Sequence, residues 1–425
     1  MTSAECRVQS AEGSPGWSFT GSTTLHSALC ILHSALTLLL WPIALAGQSP
    51  PPAPSIPAEL FLRPTGPYRV GTIDTLWIDS TRSERATKNP DDKRHLMIQI
   101  WYPAEAAERA ETAKYIGNPE EFNNLPAFRP VLHVRTNAVP GAPLARGEAR
   151  YPVLLYNHGG SWTRFSATFT TEWLASHGYV VVSVDHTGFN KTVLFPDGYR
   201  YQPDTLTMPV PKPGNFRATV DENWAYLGNE AFPTWVSDAR FALDRIEELN
   251  RMGGSPFQGR LDLDRMGALG WSFGGATAVQ LSRVDRRIKA AVDQDGQLFG
   301  EVRDLGSARP VMLMHNDSDP ARQMPDSLRT AMAELVARVR GFDSTFRARS
   351  TGDWYDLTIA RTGHGHFSDL TLFFPRDTTQ MEPRRAHQIV NAYTLAFFEY
   401  YLRGKPSPLL AGPSPDYPEV TFRKR

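Results

Sequence analysis

A serine flanked by glycines, in the segment 270–275 (Gly-Trp-Ser-Phe-Gly-Gly), is the residue of this chain best suited to act as a nucleophile. An apolar run precedes it at 266–270 and a second run follows at 276–281, which predicts a strand, a tight turn and a helix. Small neighbours allow the strained turn that exposes the Ser272 hydroxyl. The N–H of Phe273 would then begin the helix and stabilise a developing oxyanion. The alternative is a glycine-rich turn that merely contains a serine.

A serine hydroxyl needs a base to take its proton and a carboxylate to orient that base. His364 and His366 lie in the glycine-rich segment 361–369, directly after the last predicted strand. We predict that His364, which stands between two glycines, is the base. The alternative is that both histidines are solvated loop residues.

Two pairs of aspartates could orient this base. Asp293 and Asp295 follow the predicted strand at 288–292, and Asp317 and Asp319 follow the next strand along the chain. Either loop could reach the base, so the residues alone leave both pairs open.

A second oxyanion donor should come from an early loop at the same edge of the sheet. The segment 157–161 (Asn-His-Gly-Gly-Ser) follows the predicted strand at 152–156, and its glycines would let the backbone approach a substrate closely. His158 precedes Ser272 in the chain, and we interpret it as a residue that shapes this loop rather than as a base.

Aromatic side chains near these motifs are expected to line the acyl pocket, although each could instead be a core residue. Bulky Trp271 and Phe273 beside the serine predict a preference for short acyl groups. The predicted pocket residues are Trp162, Phe165, Phe189, Trp271 and Phe367.

His364 and His366 with Asp369 could be drawn as metal ligands, but their spacing matches no zinc pattern. No metal and no cofactor are therefore expected.

Alternating strands and helices must position these residues. Such a pattern predicts an α/β fold with a mostly parallel central sheet covered by helices on both faces. The segment 104–150 has proline and glycine throughout and is expected to wander over the surface, and Thr234 is expected to cap a helix after a long insertion near 188–232. The predicted strands are 68–79, 96–102, 152–156, 180–184, 266–270, 288–292, 310–314 and 354–359, and the predicted helices are 171–177, 235–249, 276–281, 327–338 and 385–402.

The N-terminus has the composition of a targeting segment. Residues 28–46 are apolar and end in Ala-Leu-Ala, which is typical of a secretory signal, with an uncleaved membrane anchor as the alternative. We therefore divide the chain into a signal or anchor at 1–46, a proline-rich linker at 47–60 and a catalytic domain at 61–425. The expected location is secreted or periplasmic. Both cysteines precede residue 47, so the mature chain would have no cysteine nucleophile.

The net charge of the chain bears on its partners. The 425 residues include 45 basic and 45 acidic side chains, and a net charge of zero gives no reason to expect nucleic acid. The oligomeric state is left open by the sequence.

Several of these motifs together resemble the plasma-type (class II) platelet-activating-factor acetylhydrolases. The likeness extends over about 152–374. It implies an α/β-hydrolase fold and a metal-independent serine esterase that removes short acyl groups from phospholipids, with transient contact to a lipid surface. The motifs that carry the likeness are 158–160 (His-Gly-Gly), 175–179 (Ala-Ser-His-Gly-Tyr), 184–186 (Val-Asp-His), 263–265 (Leu-Asp-Arg), 270–277, 295–299 (Asp-Gly-Gln-Leu-Phe) and 364–369 (His-Gly-His-Phe-Ser-Asp).

Carried over by position, the resemblance implies Ser272 as nucleophile, Asp295 as acid and His364 as base. It also implies that the oxyanion is held by the amides of Gly160 and Phe273. Trp271 stands where the family usually has histidine, and such a tryptophan also occurs in bacterial polyester hydrolases and dienelactone-hydrolase-like enzymes, which are the alternative function. A non-catalytic binding protein on the same fold is the remote alternative, and it would be indicated by the loss of one of these residues.

Overall fold

The computed structural model describes residues 56–425 apart from 85–86, 88, 90, 123–124, 202–214, 324 and 375–376. The predicted signal or anchor and the linker up to residue 55 lie outside the described residues. The end of the predicted linker packs on the domain, because Leu60 is buried and its carbonyl accepts hydrogen bonds from Arg384.

A ten-stranded sheet forms the centre of the described chain, in the order β12-β11-β10-β9-β8-β4-β5-β2-β1-β3. The strands from β11 to β5 in this order pair in parallel, whereas β2 pairs antiparallel with β5 and with β1, and β12 pairs antiparallel with β11. The strands are β1 Arg69–Ser83, β2 Lys93–Ala104, β3 Ala138–Pro140, β4 Tyr151–Asn157, β5 Val180–Val184, β8 Leu261–Trp271, β9 Ile288–Gln294, β10 Val311–Asn316, β11 Trp354–Ile359 and β12 Val420–Lys424, with β6 Val193–Leu194 and β7 Arg200–Tyr201 forming a separate hairpin.

Helices cover both faces of this sheet. The helices are α1 Thr168–Ser176, α2 Phe216–Tyr226, α3 Phe232–Arg251, α4 Phe273–Val284, α5 Glu301–Leu305, α6 Asp326–Arg349, α7 Leu370–Phe373 and α8 Pro383–Arg403. Apolar residues of α1 and α8 share one core cluster with the sheet, and those of α3 and α4 share another. The central strands are apolar along their whole length because both faces are buried. The prediction of a mostly parallel sheet with helices on both faces is confirmed.

The expectation that 104–150 wanders over the surface is wrong. Prolines and glycines do restrict this segment to short 3₁₀ helices at Pro119–Phe122 and Pro126–Val131 and to strand β3. Many of its apolar side chains are nevertheless buried, and Tyr115 and Ile116 belong to a core cluster with Phe165. Burial of apolar area, rather than regular structure, fixes this segment on the domain.

The predicted helix cap at Thr234 is also wrong. Helix α2 runs through a π-helical turn, Leu227–Ala231, directly into α3, so Thr234 lies inside a continuous helical path. Its hydroxyl donates to the carbonyl of Glu230 at 3.0 Å instead of capping.

No helix of the described residues is both long and apolar enough to cross a membrane.

Candidate active site

Ser272 occupies the sharp turn between β8 and α4. Its φ of 58° and ψ of −124° are a conformation that a residue with a side chain rarely adopts. The turn is closed tightly on both sides, since a Cβ on Gly270 would lie 2.4 Å from the backbone of Gly274, and a Cβ on Gly274 would lie 2.1 Å from the carbonyl oxygen of Asn157. The N–H of Ser272 donates to the carbonyl of Gln294 at 3.0 Å. This packing holds the serine at the carboxyl edge of the sheet.

His364 reaches the same edge from a 3₁₀ turn, His364–Phe367, that follows β11. Its Nδ1 lies 2.6 Å from Oδ2 of Asp295. Its carbonyl accepts a hydrogen bond from Nε1 of Trp271 at 3.1 Å, and the two rings lie 4.9 Å apart. The residue before Ser272 therefore fixes the backbone that carries this histidine.

Asp295 follows β9 with a φ of 63° and accepts three hydrogen bonds. Besides His364, the backbone N–H of Asn316 donates to Oδ1 at 2.8 Å and its Nδ2 donates to Oδ2 at 2.7 Å. Burial raises the pKa of this carboxyl, but the hydrogen bonds from His364 and Asn316 outweigh it and hold the pKa of Asp295 below its usual range. It is a carboxylate at neutral pH. Sequence reasoning missed Asn316, a single polar residue ending β10 with no pattern to mark it.

The other candidate aspartates have different contacts. Asp293 accepts the N–H of Gly296 at 2.7 Å beneath the elbow helix, and burial together with the nearby Asp343 raises its pKa well above the usual value. Asp317 accepts the N–H of Thr362 at 3.1 Å and so supports the loop before His364. Of the two loops that the sequence left open, the one after β9 supplies the carboxylate in contact with His364.

The loop after β4 has its peptide planes fixed by His158. Nε2 of this ring accepts N–H groups from His186, at 3.1 Å, and from the Asn190 amide, at 3.0 Å, so Nδ1 carries the proton. Nδ1 then donates to the carbonyl of Gly159 at 2.6 Å. Because a trans peptide directs its C=O and N–H to opposite sides, the N–H of Gly160 points away from the ring. Burial and the neighbouring His186 lower the pKa of His158 well below its ordinary value, which keeps the ring neutral.

This loop packs directly against the elbow. A Cβ on Gly159 would lie 2.6 Å from the Trp271 ring, so only glycine allows this approach. Ser161, with a φ of 62°, donates its N–H to the carbonyl of Phe189 at 2.8 Å. The predicted donor Gly160 thus sits in a strained loop tied to residues on both sides, and the other predicted donor, Phe273, begins α4, where first-turn N–H groups have no helical partner.

A buried charge network that the sequence analysis did not identify supports the loop from below. His186 stacks on Trp235 with ring centroids 3.9 Å apart, and its Nδ1 lies 3.1 Å from Oδ2 of Asp238. Arg94 donates to both oxygens of Asp238, at 3.0 and 2.6 Å. Burial raises the pKa of Asp238, yet Arg94 and His186 bring it below the usual range. These residues come from three separate segments, so no local spacing signals them.

The predicted pocket aromatics separate into two groups. Trp162 and Phe189 are partly exposed, and the Trp162 ring lies 6.1 Å from Trp271. Trp271 is itself almost fully buried, and Phe165 and Phe367 belong to core clusters with little or no exposed surface. In this conformation only Trp162 and Phe189 of the five present surface that a substrate could touch.

The remaining residues of the histidine loop make structural contacts. His366 lies 3.0 Å from the carbonyl of Met381 through Nε2 and accepts the N–H of Gly363 at Nδ1. Asp369 accepts the N–H groups of Thr168 at 2.7 Å and Phe169 at 3.1 Å, which begin α1. Within the described part of the chain, no three histidine, cysteine or acidic side chains converge to hold a metal ion. Of the two histidines in this loop, His364 therefore contacts a carboxylate, whereas His366 contacts backbone groups.

Comparison with known proteins agrees with this chemistry. The family model of platelet-activating factor acetylhydrolase, isoform II, matches residues 55–193. A platelet-activating factor acetylhydrolase of Cavia porcellus is 23% identical over 364 residues, which are 79% of this chain and 77% of that protein. A probable 1-alkyl-2-acetylglycerophosphocholine esterase of Arthroderma benhamiae is 25% identical over 64% of this chain and 66% of its own length.

A solved structure is similar over most of the chain. The ferulic acid esterase from Streptomyces cinnamoneus superimposes with a TM-score of 0.63 and 29% identity, covering 86% of this chain and 98% of that one. All three of these proteins are named for the hydrolysis of carboxylic esters.

Proposed function

Since the chain belongs to the platelet-activating-factor acetylhydrolase family of the α/β-hydrolase superfamily and is a carboxylic ester hydrolase, we propose that it uses Ser272 to remove short acyl groups. The single observation that carries this proposal is the 2.6 Å contact between Nδ1 of His364 and Asp295 at the edge where Ser272 turns. Phospholipids with a short acyl chain are the proposed substrate class, because the two similar acetylhydrolases are named for them.

In the proposed mechanism, Nε2 of His364 takes the proton of the Ser272 hydroxyl as the oxygen attacks the ester carbonyl. The negative charge formed on that oxygen is held by the amides of Gly160 and Phe273. Asp295 keeps the proton of Nδ1 in place and stabilises the imidazolium. His364 then protonates the leaving alcohol, and water repeats the sequence on the acyl-enzyme.

The proposed preference for short acyl groups rests on Phe273, which follows Ser272, is 6% exposed and is held by a ring contact with Trp235. This ring cannot easily move aside, and each methylene that does not fit a pocket costs roughly 1–3 kcal/mol. A second candidate is esters of aromatic acids or polyesters, which the similar ferulic acid esterase and the partly exposed Trp162 favour.

The test compares Ser272→Ala with Ser237→Ala, an exposed serine on α3, as a matched control. We expect labelling by a fluorophosphonate probe and ester hydrolysis to be lost in Ser272→Ala, by about a million-fold in turnover, and kept in the control. Near-normal rates in Ser272→Ala would overturn the mechanism.

Substrate class is tested with nitrophenyl esters from acetyl to palmitoyl, with and without chelator and micelles, beside 1-alkyl-2-acetylglycerophosphocholine, methyl ferulate and a polyester. The proposal expects a maximum at short chains without a requirement for micelles or metal. A palmitoyl maximum that appears only with micelles would indicate a lipase.

We also propose that the chain is exported through residues 28–46. N-terminal sequencing of the mature chain should then find a start near residue 47.

A further inference from the structure

Lys191 lies in an aromatic environment beside residues 157–161, the loop after β4 that carries the predicted donor Gly160 and is called the oxyanion loop below. Its ammonium is 5.1 Å from the centroid of the Trp162 ring and 5.8 Å from that of Phe128. Within the described residues no carboxylate pairs with it. Aromatic faces replace only part of the hydration that a cation loses on burial. The site therefore holds a positive charge that the protein itself does not neutralise.

The acidic side chains of this region are already engaged. Glu121 and Asp185 both accept hydrogen bonds from Nη1 of Arg164, at 3.1 and 2.7 Å, and Asp74 accepts from its Nε. Arg164 thus pairs with all three of these carboxylates. Burial lowers the pKa of Lys191, as expected for a cation without an anionic partner.

The residues on either side of Lys191 are anchored by side-chain hydrogen bonds. The Asn190 amide donates to His158 Nε2, to the carbonyl of Trp162 and to Asp185. On the other side the Thr192 hydroxyl donates to the carbonyl of Glu121. Lys191 therefore follows a residue that also contacts His158 of the oxyanion loop.

Two aromatic rings connect Lys191 with the residue that precedes Ser272. The Trp162 ring on which its ammonium lies contacts Trp271, the residue before Ser272. Both Lys191 and Trp162 keep part of their surface exposed. A substrate bound at Ser272 could therefore extend an anionic group past Trp162 to this ammonium.

We propose that Lys191 binds an oxyanion, a carboxylate or a phosphate, that the substrate carries outside its scissile ester. The proposal rests on the proposed function, because it assigns a specificity-determining residue to the same site. The two aromatic faces replace part of the water around the ammonium, which strengthens its attraction for an anion. The oxyanion could belong to the acyl side, as in a dicarboxylic monoester, or to the alcohol side, as in a glycerophospholipid.

The experiment measures kcat/KM of Lys191→Met on two matched pairs of substrates. On the acyl side the pair is 4-nitrophenyl butyrate and mono-4-nitrophenyl glutarate, and on the alcohol side it is 1-alkyl-2-acetylglycerol and 1-alkyl-2-acetylglycerol 3-phosphate below its micelle concentration. We expect a loss of about 10- to 100-fold on the anionic member of at least one pair and less than threefold on the neutral members. Lys191→Arg should keep most of the preference. Lys289→Met, which removes a lysine at the opposite end of β9, should change neither member.

The pair that responds tells which side of the ester carries the oxyanion. Equal losses on neutral and anionic substrates would mean a purely structural lysine, and no loss on either anionic substrate would also overturn the proposal. If Lys191→Met does not fold, the wild-type enzyme still tests the proposal. When the salt concentration is raised from 20 to 500 mM, its kcat/KM for an anionic substrate should fall by more than its kcat/KM for the matched neutral substrate. Full activity in Ser272→Ala would refute the proposed function itself, whereas an inactive Ser272→Ala with an unaltered Lys191→Met would refute only the role of Lys191.

Discussion

Replacing Asp295 with asparagine should show whether this aspartate, rather than another one nearby, is the carboxylate that orients His364. The carboxylate accepts from three donors, namely Nδ1 of His364 and the backbone and side-chain nitrogens of Asn316. An amide has one oxygen and one NH₂, so in either orientation its NH₂ faces at least one of these donors. The backbone N–H of Asn316 can only donate, so the amide oxygen should face it and the NH₂ should face Nδ1 of His364. The histidine would then adopt the tautomer with its proton on Nε2, where the serine needs an acceptor. Loss of this orientation costs about ten-thousand-fold in turnover in measured triads, which corresponds to about 5.5 kcal/mol.

The assay is kcat on 4-nitrophenyl butyrate, with the melting temperature of each variant measured alongside to exclude misfolding. Asp317→Asn is the matched control, because its remaining oxygen can still accept the N–H of Thr362, and we expect it to lose less than tenfold. If Asp317→Asn were crippled while Asp295→Asn stayed near normal, the carboxylate that acts on His364 would follow β10, and the reasoning would be refuted.

Two further predictions concern the oxyanion loop and the acid side of the pH profile. Gly159→Ala should lower kcat by about a hundred-fold or more while the chain still folds, because its Cβ would displace the loop from Trp271 and with it the Gly160 amide; unchanged kcat in a folded variant would contradict this. His387, stacked on Phe169, has its pKa lowered to about 3 by burial, so below pH 6.5 the unfolded chain binds a proton that the folded chain does not. Stability should therefore fall with decreasing pH between 6.5 and 3 by about 1.4 kcal/mol per pH unit from this residue, and His387→Gln should reduce that slope in denaturant titrations at pH 4 to 7. Identical slopes would show that His387 is not the group responsible.

The central strands could be predicted from the sequence because their burial on both faces leaves a continuous apolar run. The predicted bounds of Val180–Val184 and Trp354–Ile359 agree with the structure, and the strand and helix around Ser272 differ only in their ends. Segment 104–150 was harder because its residues are fixed by burial without regular periodicity, and helix α2 follows prolines that conceal its start.

Contacts between distant segments limited prediction of the site. The order of residues left Asp295 and Asp317 equivalent, since both follow neighbouring parallel strands, and only three-dimensional packing brings one of them to His364. Aromatic residues near a motif carry no information on which way a loop turns its side chains. That is why Phe165 and Phe367, adjacent in sequence to the motifs, point into the core.

The contact of Asp369 with the start of helix α1 has a consequence for how the enzyme is made. Thr168 and its capping carboxylate are 201 residues apart in the chain. At a synthesis rate of about 5–20 residues per second, the ribosome delivers that carboxylate about 10–40 s after the helix it completes. The His364 loop belongs to the same late segment. The start of helix α1 is therefore synthesised well before the carboxylate that accepts its N–H groups, and the contact between His364 and Asp295 forms only after this late segment has emerged.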